Sequence, residues 1–300
     1  MQGLAQQVTA LRPEVLNGDS TVGELAWVWG QTYDALHQFW RHRLWFDDDR
    51  LVGWGWVRLP YRVRLLDGSF RESKEAGLTW QVHPDRTELF AEILDWYDEE
   101  AGNVDRLVIV QSPDTEALAI VAAHGYAFDE EDGSDTGDWV QWNTRDLVDI
   151  ADPVLPDGFR FLTAGDVSVA NAVEVHRAAW QPSSFTEVGL ERVRLTWPYR
   201  DDLHVLVAGP NGTLAATAII WLDEATQTAE FEPVGTHPDY RRRGLGRALQ
   251  LHGMHRARAA GAKNMFVACL GAPAHPAARA MYYDVGFREL SRDVPYVKVA

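Results

Sequence analysis

Arg241-Arg242-Arg243-Gly244-Leu245-Gly246-Arg247 combines residue types that hold phosphate. A strand-like run, 228–236, precedes it and a helix-like run, 247–260, follows. The first amides of a helix have no internal partner, and the helix dipole adds partial positive charge there. Glycines at 244 and 246 keep side chains off those amides. Four arginines add formal charge, so the loop suits a pyrophosphate. A nucleoside-triphosphate loop needs Lys-Ser or Lys-Thr after its last glycine, and none follows. A dinucleotide fingerprint needs a third glycine where this chain has Leu249. Upstream, Glu230 and Glu232 stand two apart on the strand-like run and are expected to share a face. Carboxylates so close raise each other's pKa, which suits a proton acceptor.

The spacing Arg241-x-x-Gly244-x-Gly246 resembles the Arg-x-x-Gly-x-Gly loop of the Gcn5-related N-acetyltransferases (the GNAT family). His275-Pro276-Ala277-Ala278-Arg279-Ala280-Met281-Tyr282-Tyr283-Asp284-Val285-Gly286-Phe287 resembles the second signature of that family. There the family pattern is Asn-Pro-x-Ala-x-x-Leu-Tyr-x-x-x-Gly-Phe, so His275 stands where Asn is usual. The resemblance covers the second half of the chain. It implies acetyl-CoA as co-substrate, no metal, and transfer of acetyl to an amine by direct attack. It places Arg241, Arg242, Arg243, Gly244, Leu245, Gly246 and Arg247 around the pyrophosphate. Backbone at Val234, Gly235 and Thr236 would hold the pantetheine arm and the thioester carbonyl, and His275 takes the remaining coenzyme position. Tyr282 matches the general acid, with Tyr283 its neighbour. Glu230 falls where many members place a glutamate base, and Glu232 is the second candidate. The segment 180–186 lies where the family builds its acceptor pocket. The rival readings are a non-catalytic acyl-CoA sensor and an acetyltransferase acting on a protein N-terminus or lysine.

The elements expected to position these groups give an α/β fold. Strands are expected at 159–163, 203–208, 213–221, 228–236, 264–270, 287–291 and 294–299. Helices are expected at 166–180, 186–196, 243–260 and 276–284. Asn211-Gly212 between two apolar runs is a hairpin signal, and Asp166 suits a helix N-cap. The resemblance implies a mostly antiparallel twisted sheet flanked by helices, in which strands 228–236 and 264–270 splay apart.

The halves repeat one plan. Residues 146–158 hold two prolines, a glycine and several aspartates, as a linker does. Val82-His83-Pro84-Asp85 echoes Thr236-His237-Pro238-Asp239, and Gly125-Tyr126 echoes Gly286-Phe287. This predicts tandem acetyltransferase-like domains at 1–150 and 151–300, an arrangement that resembles the mycothiol synthases. The first copy reads Thr87-Glu88 where the second has its glycine loop, and Val121 where the second has Tyr282. It is expected to be non-catalytic. His237, repeated as His83, is expected to be structural.

Residues 1–150 carry 12 Lys+Arg and 28 Asp+Glu, whereas residues 151–300 carry 16 of each. So acidic a first half argues against a nucleic-acid partner and leaves room for a cationic amine. The sequence has no apolar run long enough to span a membrane and no signal-peptide pattern. With the lone Cys269, expected buried and inert, this points to the cytoplasm. Ten of the thirteen tryptophans lie in the first half. Trp54 and Trp56 alternate on a strand and are expected to pack beneath a helix.

Overall fold

The computed structural model describes residues 1–15 and 20–300. The first half opens with α1 (Gln2–Leu11) and α2 (Val22–Leu36). Two long strands follow, β1 (Trp40–Asp47) and β2 (Arg50–Arg58), then a short hairpin of β3 (Tyr61–Arg64) and β4 (Phe70–Ser73). Next come β5 (Ala76–Val82), α3 (Leu89–Ala101), β6 (Arg106–Gln111) and α4 (Thr115–Ala123). The half ends in β7 (Ala127–Phe128) and β8 (Val140–Asp146). The second half runs β9 (Arg160–Thr163), α5 (Val169–Ala179), α6 (Glu187–Arg194), β10 (His204–Ala208), β11 (Leu214–Asp223) and β12 (Thr228–Thr236). It closes with α7 (Leu245–Ala259), β13 (Asn264–Leu270), α8 (Pro276–Asp284) and β14 (Arg288–Lys298).

Local chemistry sets the ends of these elements. Thr21, Asp114, Ser168 and Thr186 each accept an amide hydrogen at a helix start, satisfying a donor the helix leaves open. The expectation for Asp166 is corrected here. Ser168 caps α5, and Asp166 instead closes a capping box with Thr163 around a single 3-10 turn. Asn211-Gly212 joins β10 to β11, and Gly212 takes φ +84°. All ten residues of β11 are buried, as in a strand covered on both faces.

One sheet of twelve strands runs through both halves in the order β1-β2-β5-β6-β14-β8-β13-β12-β11-β10-β9, with β7 beside β14. All its pairs are antiparallel except β5 with β6 and β12 with β13. The halves exchange strands at the join. β8, from the first half, pairs with β13, and β14, the last strand, pairs with both β8 and β6. This corrects the expected pair of terminal strands. Residues 288–298 form one strand, and a register shift near Leu290 lets it leave β8 and continue along β6.

The duplicated motifs have duplicated local structures. His83 and His237 each accept the amide of the aspartate two residues on, both at 3.2 Å, which fixes the turn after β5 and after β12. Gly125 and Gly286 take φ +81° and +90°. Behind them the Tyr126 and Phe287 amides reach back to the Val121 and Tyr282 carbonyls. Glycine relieves the Cβ clash at both positive angles. Trp54 and Trp56 lie in a cluster with Leu4, Val22, Leu25 and Trp40, packed beneath α1 and α2.

Candidate active site

Each parallel pair stops short of the end of its strands. In the second half the ladder runs from Thr228↔Asn264 to Phe231↔Val267 and then stops. Beyond it, β12 keeps its bonds to β11, and β13 keeps its bonds to β8. The strands therefore fork. Glu232, Pro233, Val234, Gly235 and Thr236 line one arm with an edge that β13 does not pair. A bulge sits at the branch point, with Glu232 and Pro233 where β11 has Ile219 alone. Bulges re-aim side chains and expose backbone groups.

Glu230 lies just below the fork, paired opposite Trp221 and 5% exposed. Its Oε2 accepts a 2.6 Å hydrogen bond from the Thr21 hydroxyl. Burial pushes its pKa up to about 8, and the hydrogen bond only partly offsets this. Glu232 is partly exposed, but enough protein surrounds it that desolvation raises its pKa too, with the Glu230 charge adding to the rise. The Glu232 backbone carbonyl accepts from the Trp221 indole at 2.6 Å. Tyr282 is buried against Phe287 at the inner end of α8. Burial, then the charges of Glu232 and Cys269, drive its pKa upward, so it stays protonated near neutral pH. The Glu230 charge is felt at Glu232, and the Glu232 charge at Tyr282. The Tyr282 hydroxyl makes no hydrogen bond among the described residues. Tyr283 points elsewhere: it is 41% exposed and accepts from Gln141 at 2.8 Å. Cys269 is buried beside Asn143, which donates to its sulfur at 3.4 Å, and burial raises its thiol pKa.

The arginine loop lies beside the mouth of the fork. Arg241 donates to the carbonyls of Thr236 and Ala179, tying the loop to β12 and to the end of α5. Arg242 takes φ +64° and Gly244 φ +80°, turning the chain into α7, whose first residue, Leu245, is buried. Arg243 lies over the Tyr240 ring and bonds the Asp239 carbonyl, and Arg247 pairs with Asp284 at 2.7 Å. A Cβ on Gly246 would sit 3.1 Å from Met281 Sδ and 3.5 Å from Thr236 Oγ1, so the missing side chain keeps this floor open. His275 precedes α8 without capping it, and its Nε2 is 3.5 Å from Asp138.

The first half has the same fork without the same groups. Its parallel ladder also stops, at Leu78↔Val108. Aligned on that last rung, Gly77 and Thr79 stand at the places of Glu230 and Glu232. Trp80 bridges the fork, donating its indole N–H to the Ile109 carbonyl at 3.1 Å. Its ring stacks on Phe90 with centroids 3.7 Å apart. Glu88 immediately precedes α3, where an anion would otherwise find free amides.

Segment 180–186 connects α5 to α6. Trp180 presses on Gly235, where a Cβ would meet its ring at 2.3 Å. Phe185 packs with Trp27 and Trp221, and Trp180 stacks on His176, which burial keeps neutral. Trp27 and Thr21 belong to the first half, and nothing in the sequence near either marks it as part of this site. Two cavities of about 310 Å³ lie elsewhere, one against Trp29, Trp56 and Trp197 and one against Trp40, Arg58 and Arg71.

A twisted mixed sheet that forks between two parallel strands, with a glycine-arginine loop at the fork, is the architecture of an acetyltransferase fold. Residues 171–287 match the acetyltransferase (GNAT) family. No curated protein sequence matches the chain. A tandem GNAT protein from the clavulanic acid biosynthesis pathway superposes with a TM-score of 0.63, at 14% identity, over 99% of this chain and 93% of its own. A GCN5-related N-acetyltransferase from Sphaerobacter thermophilus gives 0.59 at 16% identity, covering 84% of this chain and 78% of that one. Another from Kribbella flavida gives 0.51 at 16% identity, covering 93% and 96%. At these identities the likeness establishes the fold, and the whole chain has the tandem GNAT architecture. No helix among the described residues is long and apolar enough to cross a membrane.

Proposed function

We propose that residues 151–300 form a catalytic domain that transfers an acetyl group from acetyl-CoA to the amine of a small molecule, and that residues 1–150 form a copy that does not. The observation that carries this reading is the contrast between the forks. One holds two carboxylates of raised pKa and a buried tyrosine beside an open arginine-glycine loop. The other is bridged by Trp80 and has no acid at the matching positions.

The residues fit the coenzyme, because the floor at Gly246 is one that a Cβ would narrow. Arg241, Arg242, Arg243 and Arg247, with the first amides of α7, would hold the pyrophosphate, and His275 would lie alongside. When bound, acetyl-CoA supplies the thioester acetyl group and a thiolate leaving group. Glu232, at the branch point, takes the proton from the acceptor's ammonium, and Glu230 behind it shares the charge. The raised pKa values bring these carboxylates toward that of an amine, where proton transfer is efficient. Amides of Val234, Gly235 and Thr236 along the open edge supply donors to an oxygen gaining negative charge. Tyr282 supplies a proton at the fork. The acidic excess of the first half favours a cationic acceptor, entering past segment 180–186.

Gly246→Trp is expected to weaken acetyl-CoA binding by about ten-fold or more, or about 1.4 kcal/mol. Thr87→Val and Glu88→Gln, in the bridged copy, should leave it unchanged. Titration calorimetry reads both, and two coenzyme molecules per wild-type chain would overturn the assignment of one working copy.

A further inference from the structure

Thr21 begins α2 in the first half, yet its hydroxyl lies 2.6 Å from a carboxylate oxygen of Glu230 in the second. The hydroxyl is already oriented. It accepts the Glu24 amide at 3.0 Å as the helix cap, which turns its own proton away from α2 and toward Glu230 Oε2. The approach is close because position 23 is glycine. A Cβ there would sit 2.6 Å from Glu230 Oε2 and 2.5 Å from the Trp221 ring. Further bonds hold α1 and α2 in place. Gln6 donates to Asp223 at 2.6 Å, Gln2 donates to the Trp197 carbonyl, and Arg192 pairs with Asp34 at 2.9 Å.

We propose that Thr21 is a positioning residue for the acetyl-transfer site: its hydroxyl, aimed by its role as the α2 cap, fixes one Glu230 oxygen as an acceptor and sets the proton affinity of the Glu230–Glu232 pair. The first half thereby completes the site of the second. This rests on the acetyl-transfer reading above. The charged groups around Glu230 do not supply this function. Glu232 on its own strand and Glu24 on α2 both disfavour its ionisation. Asp223, at the end of β11, is held by Gln6 and by Thr226. From α1 the neighbouring wall is Thr9 and from β13 it is Phe266, both uncharged. Thr21 is a neutral donor on this carboxylate.

The test uses the full chain with ¹³C-labelled glutamate side chains, the Glu230 signal being assigned by its loss in Glu230→Gln. Thr21→Val removes the hydroxyl and should raise the Glu230 midpoint by about one pH unit, the scale of one lost hydrogen bond to a carboxylate. The acidic limb of the pH–rate profile should move with it. Thr21→Ser should restore both. Thr21→Gly removes the hydroxyl at a position where a helix start tolerates glycine, and it serves if the valine variant fails to fold. An unchanged midpoint in Thr21→Val or Thr21→Gly overturns the proposal, as does a shifted midpoint with an unmoved acidic limb. Should no amine be acetylated, the acetyl-transfer reading fails by itself, and the carboxylate titration still decides whether Thr21 sets the proton affinity of the pair.

Discussion

Replacing Glu232 with Gln is expected to lower turnover by about 10²–10⁴, the range for losing a positioned base, while acetyl-CoA affinity stays close to wild type. Wild-type turnover should rise with pH toward the Glu230 midpoint of about 8, because the pair must shed its shared proton to accept another. The same shift makes an opposite prediction for stability. A carboxylate whose folded pKa is raised keeps a proton that the unfolded chain releases above about pH 4.3. Its contribution is therefore complete below that value and is lost as pH rises toward 8. Glu230→Gln stays neutral throughout. It should melt higher than wild type at pH 9, with the difference shrinking by pH 5. Thermal melts at the two pH values and steady-state rates check both statements. Normal turnover in both carboxylate variants would leave water as the proton acceptor.

Tyr282→Phe is expected to cost turnover in the same range of about 10²–10⁴ with little change in coenzyme affinity, since the ring still packs on Phe287. The loss should be smaller if the coenzyme thiolate leaves without help. Tyr283→Phe should change turnover little, because adjacent helix residues point about 100° apart and Tyr283 faces Gln141 at the surface. A large loss in Tyr283→Phe with normal rates in Tyr282→Phe would assign the acid to the exposed neighbour.

Much of the second half was legible in sequence because its signals are local. The glycine loop, the hairpin at Asn211-Gly212 and Gly286-Phe287 each depend on backbone angles set within a few residues. The echo of His-Pro-Asp was legible for the same reason, since each histidine caps its own turn. What was not legible is long-range. No local pattern says that β14 leaves β8 to run beside β6, because edge choice depends on which strands are left unpaired. Thr21 meets Glu230 across 209 positions, and in sequence it reads as an ordinary helix cap. The cap beginning α5 was misassigned because Thr163, Asp166 and Ser168 all suit such a start, and only the intervening 3-10 turn separates them. The bulge that takes in Glu232 and Pro233 was not legible either, because the two-residue spacing of the carboxylates reads as a regular strand.

The most direct measurement incubates wild type, Gly246→Trp and Glu232→Gln with acetyl-CoA and a panel of polyamines, aminoglycosides, amino-acid derivatives and peptides. Free coenzyme A and acetylated product are followed together by mass spectrometry. Wild type is predicted to release coenzyme A in step with an N-acetylated small amine. Gly246→Trp should bind acetyl-CoA about ten-fold or more weakly and turn over less at limiting coenzyme, and Glu232→Gln should bind it normally and turn over slowly. Tight acetyl-CoA binding by the wild type with no acetylated product from any amine would contradict the account and make the protein a sensor of the coenzyme.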